Sequence, residues 1–135
     1  MRKLTTASVK VSRVMTRNLI TVSLGSMVEE AVKKMVDLDV ECLPFVDPEG
    51  NLHGLLTFRD IVTKVVYLNA KARKSKVEEI MARDLVTCDL NCTVLDAVKI
   101  MKNRHLRRIP VVNARNKLMG LVTDFDLALF GWDFE

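Results

Sequence analysis

The chain has 135 residues, 49% of them hydrophobic and 28% charged. That is the material of one compact unit with a core, and it excludes wholesale disorder and fibrous structure. Lys and Arg outnumber Asp and Glu by 21 to 17, a formal charge of +4, too mild to dictate a polyanionic partner by itself, and no stretch approaches the ~18 uninterrupted apolar residues of a membrane span.

The chain opens on a basic segment, residues 1–10, with no apolar block behind its charges. It does not read as a signal peptide, and a cytoplasmic location with no membrane partner is expected. Residues 1–28 hold the cations Arg2, Lys3, Lys10, Arg13 and Arg17 and no acid. A β-rich run from Leu19 to Val22 predicts a first strand. Val28, Ala31, Val32, Met35 and Val36 then form a stripe at helical spacing, with Ser26 and Glu29 as a capping box at its start. Leu43-Pro44-Phe45-Val46 predicts an apolar strand, Asp47-Pro48-Glu49-Gly50-Asn51 a turn, and Leu52 to Leu56 a second strand. A helix opening at Thr57 closes this first repeat, residues 11–66. Residues 67–76 read as a polar linker, with Lys71, Arg73, Lys74 and Lys76 as a cluster without acids.

From residue 77 the same order returns at an offset of 66 residues without a gap. Val14-Met15-Thr16-Arg17 falls on Ile80-Met81-Ala82-Arg83, and Ala31-Val32-Lys33 on Ala97-Val98-Lys99. Leu85 to Cys88 repeats the first strand, and Val94, Ala97, Val98 and Met101 the stripe, with Thr93 and Asp96 as the box. Ile109-Pro110-Val111-Val112 and Leu118 to Val122 repeat the strand pair, and a helix opens at Thr123. The fold expected is α+β: two tandem β-α-β-β-α repeats, 11–66 and 77–130, related by a pseudo-two-fold axis and sharing one core, because neither repeat carries enough surface to bury its own elements. A short tail, 131–135, follows. Phe125, Phe130, Trp132 and Phe134 near it suggest core or dimer packing.

Cys42, Cys88 and Cys92 are an odd set that fits a reducing compartment rather than a disulfide framework. Cys88 and Cys92 lie four apart, but no second Cys or His pair stands near enough in sequence to complete a zinc site, so no metal is expected. No spacing joins a nucleophile to a base, so no catalytic residue and no enzyme activity is assigned.

Gly54-Leu55-Leu56-Thr57-Phe58-Arg59-Asp60 and Gly120-Leu121-Val122-Thr123-Asp124-Phe125-Asp126 share the pattern Gly-x-x-Thr-x-x-Asp. Two readings fit. Thr-x-x-Asp is a capping box that satisfies orphan helix amides. The same junction also offers amide donors and a hydroxyl to a phosphate, and a carboxylate able to accept from a ribose diol. Recurrence in register behind a glycine and an apolar strand favours ligand binding.

The ordered set, seen twice, resembles a tandem pair of cystathionine-β-synthase (CBS) domains over residues 11–130. The resemblance implies a non-enzymatic regulatory module with two clefts between the repeats. These take adenine nucleotides (AMP, ADP, ATP) or an S-adenosyl compound such as S-adenosylmethionine, and two modules associate as a homodimer that acts on a regulated protein. Carried over, Asp60 and Asp126 would hold ribose hydroxyls, and Thr57 and Thr123 would face phosphate. Ile20 and Val86, with Leu43-Pro44 and Ile109-Pro110, would wall the adenine, and Thr21 and Thr87 would line the same clefts. Arg107 and Arg108, with His105 nearby, stand where the family places phosphate-binding cations, unless they form a solvated helix end. The first repeat has Glu41-Cys42 instead, so unequal clefts are expected. The alternative is a nucleic-acid-binding protein using the basic N-terminus and linker, although aromatic interleaving and a recognition-helix pattern are missing.

Overall fold

The structure, a computed structural model, describes residues 5–132. Arg2, Lys3, Phe134 and the last three residues of the expected tail lie outside the described residues, as does the side chain of Trp132. Helix α1 (Val28–Leu38) leads to the antiparallel hairpin β1 (Cys42–Val46) and β2 (Leu52–Thr57), then to α2 (Phe58–Asp60), which continues as π-helical turns over Ile61–Tyr67. Short 3₁₀ turns at Ala70–Lys74 and Val77–Glu79 follow. Helix α3 (Val94–Arg104), the hairpin β3 (Arg108–Val112) and β4 (Leu118–Thr123), and α4 (Asp124–Trp132) repeat the plan.

The two first strands contract to single residues. Val22 alone bridges Phe45 in parallel, its N–H donating to the Pro44 carbonyl at 2.9 Å, and Cys88 alone bridges Val111, donating to Pro110 at 2.9 Å. Runs as short as Leu19–Val22 carry β propensity but bend away after one ladder rung, so tertiary context overrides the propensity.

The hairpins match in detail. Leu43 faces Leu56 and Ile109 faces Val122, all four fully buried. Both turns place a residue in the left-handed region at the same register, Gly50 at φ 87° and Asn116 at φ 61°. Helices α1 and α3 also end on left-handed residues, Asp39 and His105. Their starts differ. Thr93 caps α3 in a complete box with Asp96, at 2.9 and 3.1 Å. The box expected from Ser26 and Glu29 does not form, because the N-cap of α1 is Met27. The Ser26 carbonyl accepts instead from Val77 N–H, and Val28 N–H donates to Ser75, which fixes the helix start one residue later.

Length alone suggests one compact unit, but the chain divides into two: Ile20–Leu85, and the residues up to Leu19 together with those from Val86 onward. Each unit is completed by the opening segment of the other repeat. In the first, Ala82 exchanges two hydrogen bonds of 2.9 Å with Leu55 on the free edge of β2. In the second, Thr16 exchanges bonds of 2.8 and 2.9 Å with Leu121 on β4. Within each unit the buried side chains form clusters of their own. Val77, Ile80 and Met81 pack with Val28, Met35, Leu43 and Leu56. Val11 and Met15 pack with Cys88, Ile109, Val111 and Val122, and Phe130 joins Val9 and Val94. At about 1.5–3 kcal/mol for each buried side chain, the exchanged segments supply the cover that a lone repeat lacks.

Candidate functional site

Both Gly-x-x-Thr-x-x-Asp motifs straddle a strand end and the following helix start. In the Ile20–Leu85 unit, Thr57 ends β2 and caps α2. Its N–H donates to Asp60 Oδ2 at 2.9 Å, its hydroxyl donates to the same oxygen at 3.1 Å, and its Oγ1 accepts from the Asp60 N–H at 3.3 Å. In the other unit, Thr123 N–H donates to Asp126 Oδ2 and Asp126 N–H donates to Thr123 Oγ1, both at 3.0 Å. The capping geometry is therefore present at both sites, and it holds each carboxylate in one rotamer at the positive end of a helix.

The two carboxylates differ in what else they meet. Asp60 is 9% exposed, and its Oδ1 lies 3.0 Å from Lys64 Nζ, an ammonium that also donates to the Ile80 carbonyl at 2.7 Å. Asp126 is half-buried and receives the Thr16 hydroxyl, 3.2 Å from each of its oxygens. The register explains the contrast. Phe130 stands where the first repeat has Lys64, and Ala82 stands where the opening motif has Thr16. Asp60 thus has an ammonium beside it, whereas Asp126 has a neutral hydroxyl. Lys64 and Thr16 went unnoticed at the sequence level. The signal available was the departure of Ile-Met-Ala from Val-Met-Thr and of Phe130 from Lys64.

The other residues singled out from sequence fall as follows. Leu43 and Ile109 are fully buried in the cores, and Pro44 and Pro110 are buried with their carbonyls accepting from Val22 and Cys88. Ile20, Thr21 and Val86 are half-buried and Thr87 is exposed; the Thr21 carbonyl accepts from Lys34 Nζ at 2.8 Å. Arg107 is exposed, with Nε donating to Asp124 Oδ2 at 3.2 Å, and Arg108 is half-buried on β3 opposite Thr123. His105, placed near phosphate by its sequence position, is the left-handed C-cap of α3. The cluster Lys71, Arg73, Lys74 and Lys76 is exposed around the turn Ala70–Lys74.

Among the described residues, no group of three or more His, Cys, Asp or Glu is placed to hold a metal, and no helix is long and apolar enough to cross a membrane. The Gly54 and Gly120 positions explain the first letter of each motif. A Cβ on Gly54 would fall 2.6 Å from Met81 Sδ, and one on Gly120 2.5 Å from Met15 Sδ.

The CBS domain profile matches the chain twice, over residues 11–67 and 77–132. A CBS domain-containing protein of Dictyostelium discoideum is 32% identical over 128 residues, which cover 88% of each chain. The inosine-5'-monophosphate dehydrogenase of Methanocaldococcus jannaschii is 30% identical over 118 residues, 87% of this chain but 23% of that protein, so the pair also occurs within a much longer enzyme. Among solved structures, the CBS domain pair of protein MJ0100, in complex with 5'-methylthioadenosine and S-adenosyl-L-methionine, superposes with a TM-score of 0.79. The two are 30% identical, with 92% of this chain and 97% of that one covered. Two profile matches that together span most of the sequence, in a mixed fold of two repeated units, place the chain in the CBS domain family.

Proposed function

We propose that this chain is a non-enzymatic sensor of adenosyl compounds that transmits occupancy to a regulated protein. The observation that carries the reading is the Asp126 carboxylate. It is fixed at the N-terminus of α4, and among the described ion pairs and hydrogen bonds its Oδ1 accepts only from Thr16. A carboxylate has about four acceptor positions, so capping leaves room for a ribose diol. Support comes from the MJ0100 pair, crystallised with two adenosyl ligands. Asp60 stands second in this reading, because a diol must compete there with the Lys64 ammonium. Arg107 and Arg108 are the groups we assign to a ligand phosphate, where charge-assisted bonds are the stronger kind. Phe58, Val62 and Val66, exposed at four-residue spacing, support association of two copies.

Calorimetry and thermal shift with AMP, ADP, ATP, 5'-methylthioadenosine, S-adenosylmethionine and an oligonucleotide test the proposal. A ligand at 100 times its Kd should stabilise the fold by about 2.7 kcal/mol. Asp126→Ala should abolish the tighter site, measured well below melting because the cap is lost too, and Asp60→Ala should affect the weaker one. Arg107→Ala with Arg108→Ala should weaken AMP more than 5'-methylthioadenosine. A melting temperature raised by the oligonucleotide and by no adenosyl compound would sink the reading.

A further inference from the structure

Cys88 and Cys92 are brought together by a turn that the adenosyl reading does not use. Cys88 is fully buried and anchored at both ends of its peptide, its N–H donating to Pro110 and its carbonyl accepting from Val112, each at 2.9 Å. The chain then reverses. Cys92 N–H donates to the Asp89 carbonyl at 3.2 Å and to Asp89 Oδ1 at 3.1 Å, and Asn91 N–H donates to the same Oδ1 at 2.7 Å. This fold-back returns Cys92, half-buried, to the apolar cluster that contains Cys88. Both cysteines are reduced, and Cys42, the third, belongs to the other unit.

The geometry points to a dithiol modification site: Cys92 is the thiol that a peroxide oxidises, and Cys88 resolves it to an intramolecular disulfide. The reactive form of a cysteine is its thiolate, and access decides which of two thiols meets a dissolved oxidant. Cys92 has access and Cys88 does not. Burial first of all pushes the Cys88 thiol up to about 12, with the neighbouring Cys92, Asp89 and Asp96 adding to the effect. The more accessible Cys92 is therefore the thiol of the pair that a dissolved oxidant meets first. In the first step Cys92 sulfur attacks one peroxide oxygen, the O–O bond breaks, and Cys92 sulfenic acid forms with loss of water. In the second, Cys88 sulfur attacks the sulfenic sulfur, the S–O bond breaks, and the Cys88 proton leaves with the hydroxyl as a second water. Two thiols and one hydrogen peroxide give one disulfide and two waters.

The crosslink would close the turn on which the exchanged segment docks. The Cys92 carbonyl accepts from Val11 N–H at 2.9 Å, Val94 N–H donates to Val9 at 2.8 Å, and Lys10 Nζ donates to Asn91 Oδ1 at 3.0 Å. Oxidation should therefore change amide exchange at Val11 and Val94 before it is felt in the Ile20–Leu85 unit.

The full chain is treated with hydrogen peroxide, its free thiols are titrated, and peptides are mapped by mass spectrometry. Two of the three thiols should disappear, with a Cys88–Cys92 crosslink that dithiothreitol reverses. In Cys88→Ser, Cys92 should stop at the sulfenic acid and be trapped by dimedone. In Cys92→Ser, Cys88 should stay reduced. Three free thiols after treatment, over-oxidation of Cys92 without a crosslink, or bridging between molecules would each overturn the assignment. A folding failure in either serine variant does not shield it, because the unmodified chain alone gives the crosslink result.

Discussion

Gly54 and Gly120 head their motifs because a methionine from the exchanged segment fills the space where a side chain would be. Relief at Gly120 is blocked on two sides. A methyl there would meet Met15 Cγ at 2.8 Å and the Thr16 carbonyl at 3.0 Å, and Thr16 is held in its bridge to Leu121. Gly120→Ala should destabilise the chain by about 1–3 kcal/mol, the usual cost of overpacking. Urea denaturation measures it, and an unmoved midpoint refutes the account. Asp47 offers a pH test at the same scale. His53 Nε2 lies 2.8 Å from its Oδ2, and Asn51 and Glu49 donate to the same carboxylate. The His53 contact leads these in holding the Asp47 carboxyl well below its ordinary 3.8. A depressed folded value means that the stability Asp47 contributes is present above pH 3.8 and is lost as pH falls through the lowered value. His53→Ala should move the Asp47 titration back towards 3.8 by NMR, and no movement would rule out the contact as its cause. The second turn has Asn113 in this place and should show no such dependence.

At the scale of elements, one helix start is complete and its twin is not. Thr93 closes a capping box on α3, while Met27 at the equivalent position of α1 has no side chain to offer. Met27→Thr, with Glu30 in the N3 position, should be more stable than Met27→Ala by about 1 kcal/mol. Equal melting temperatures for the two variants would contradict this. Helices, hairpins and turns were legible because period, capping pairs and turn residues are local signals. The box at Ser26 was misplaced because its register is set by Ser75 and Val77, about fifty residues away in sequence. The first strands were overextended for a similar reason, since only Val22 and Cys88 find a partner strand. At the candidate site, Thr57, Asp60, Thr123 and Asp126 were visible as motifs. Lys64 and Thr16 were not, since they reach the carboxylates from outside them.

The molecule as a whole is cut differently by its sequence and by its packing. The repeat in sequence runs from residue 11, but the unit that owns a core runs from Ile20 to Leu85 and includes Val77, Ile80 and Met81. A fragment of residues 20–85 should therefore melt cooperatively, although at this size its stability is marginal. A fragment of residues 11–66 should not, because β2 loses its Ala82 bridge and Gly54 its methionine. Circular dichroism melts of the two fragments decide the matter, and cooperative unfolding of the shorter one would overturn the exchange as a source of stability. The amino-acid sequence by itself determined the duplication, the order of helices and hairpins, and the recurrence of a glycine, a threonine and an aspartate at each junction, because these rest on spacings of a few residues. Tertiary structure alone decided that each repeat is covered by the opening of the other, and that one aspartate meets an ammonium and its twin a hydroxyl. Those partners are brought together by packing across many intervening residues, which no local periodicity encodes.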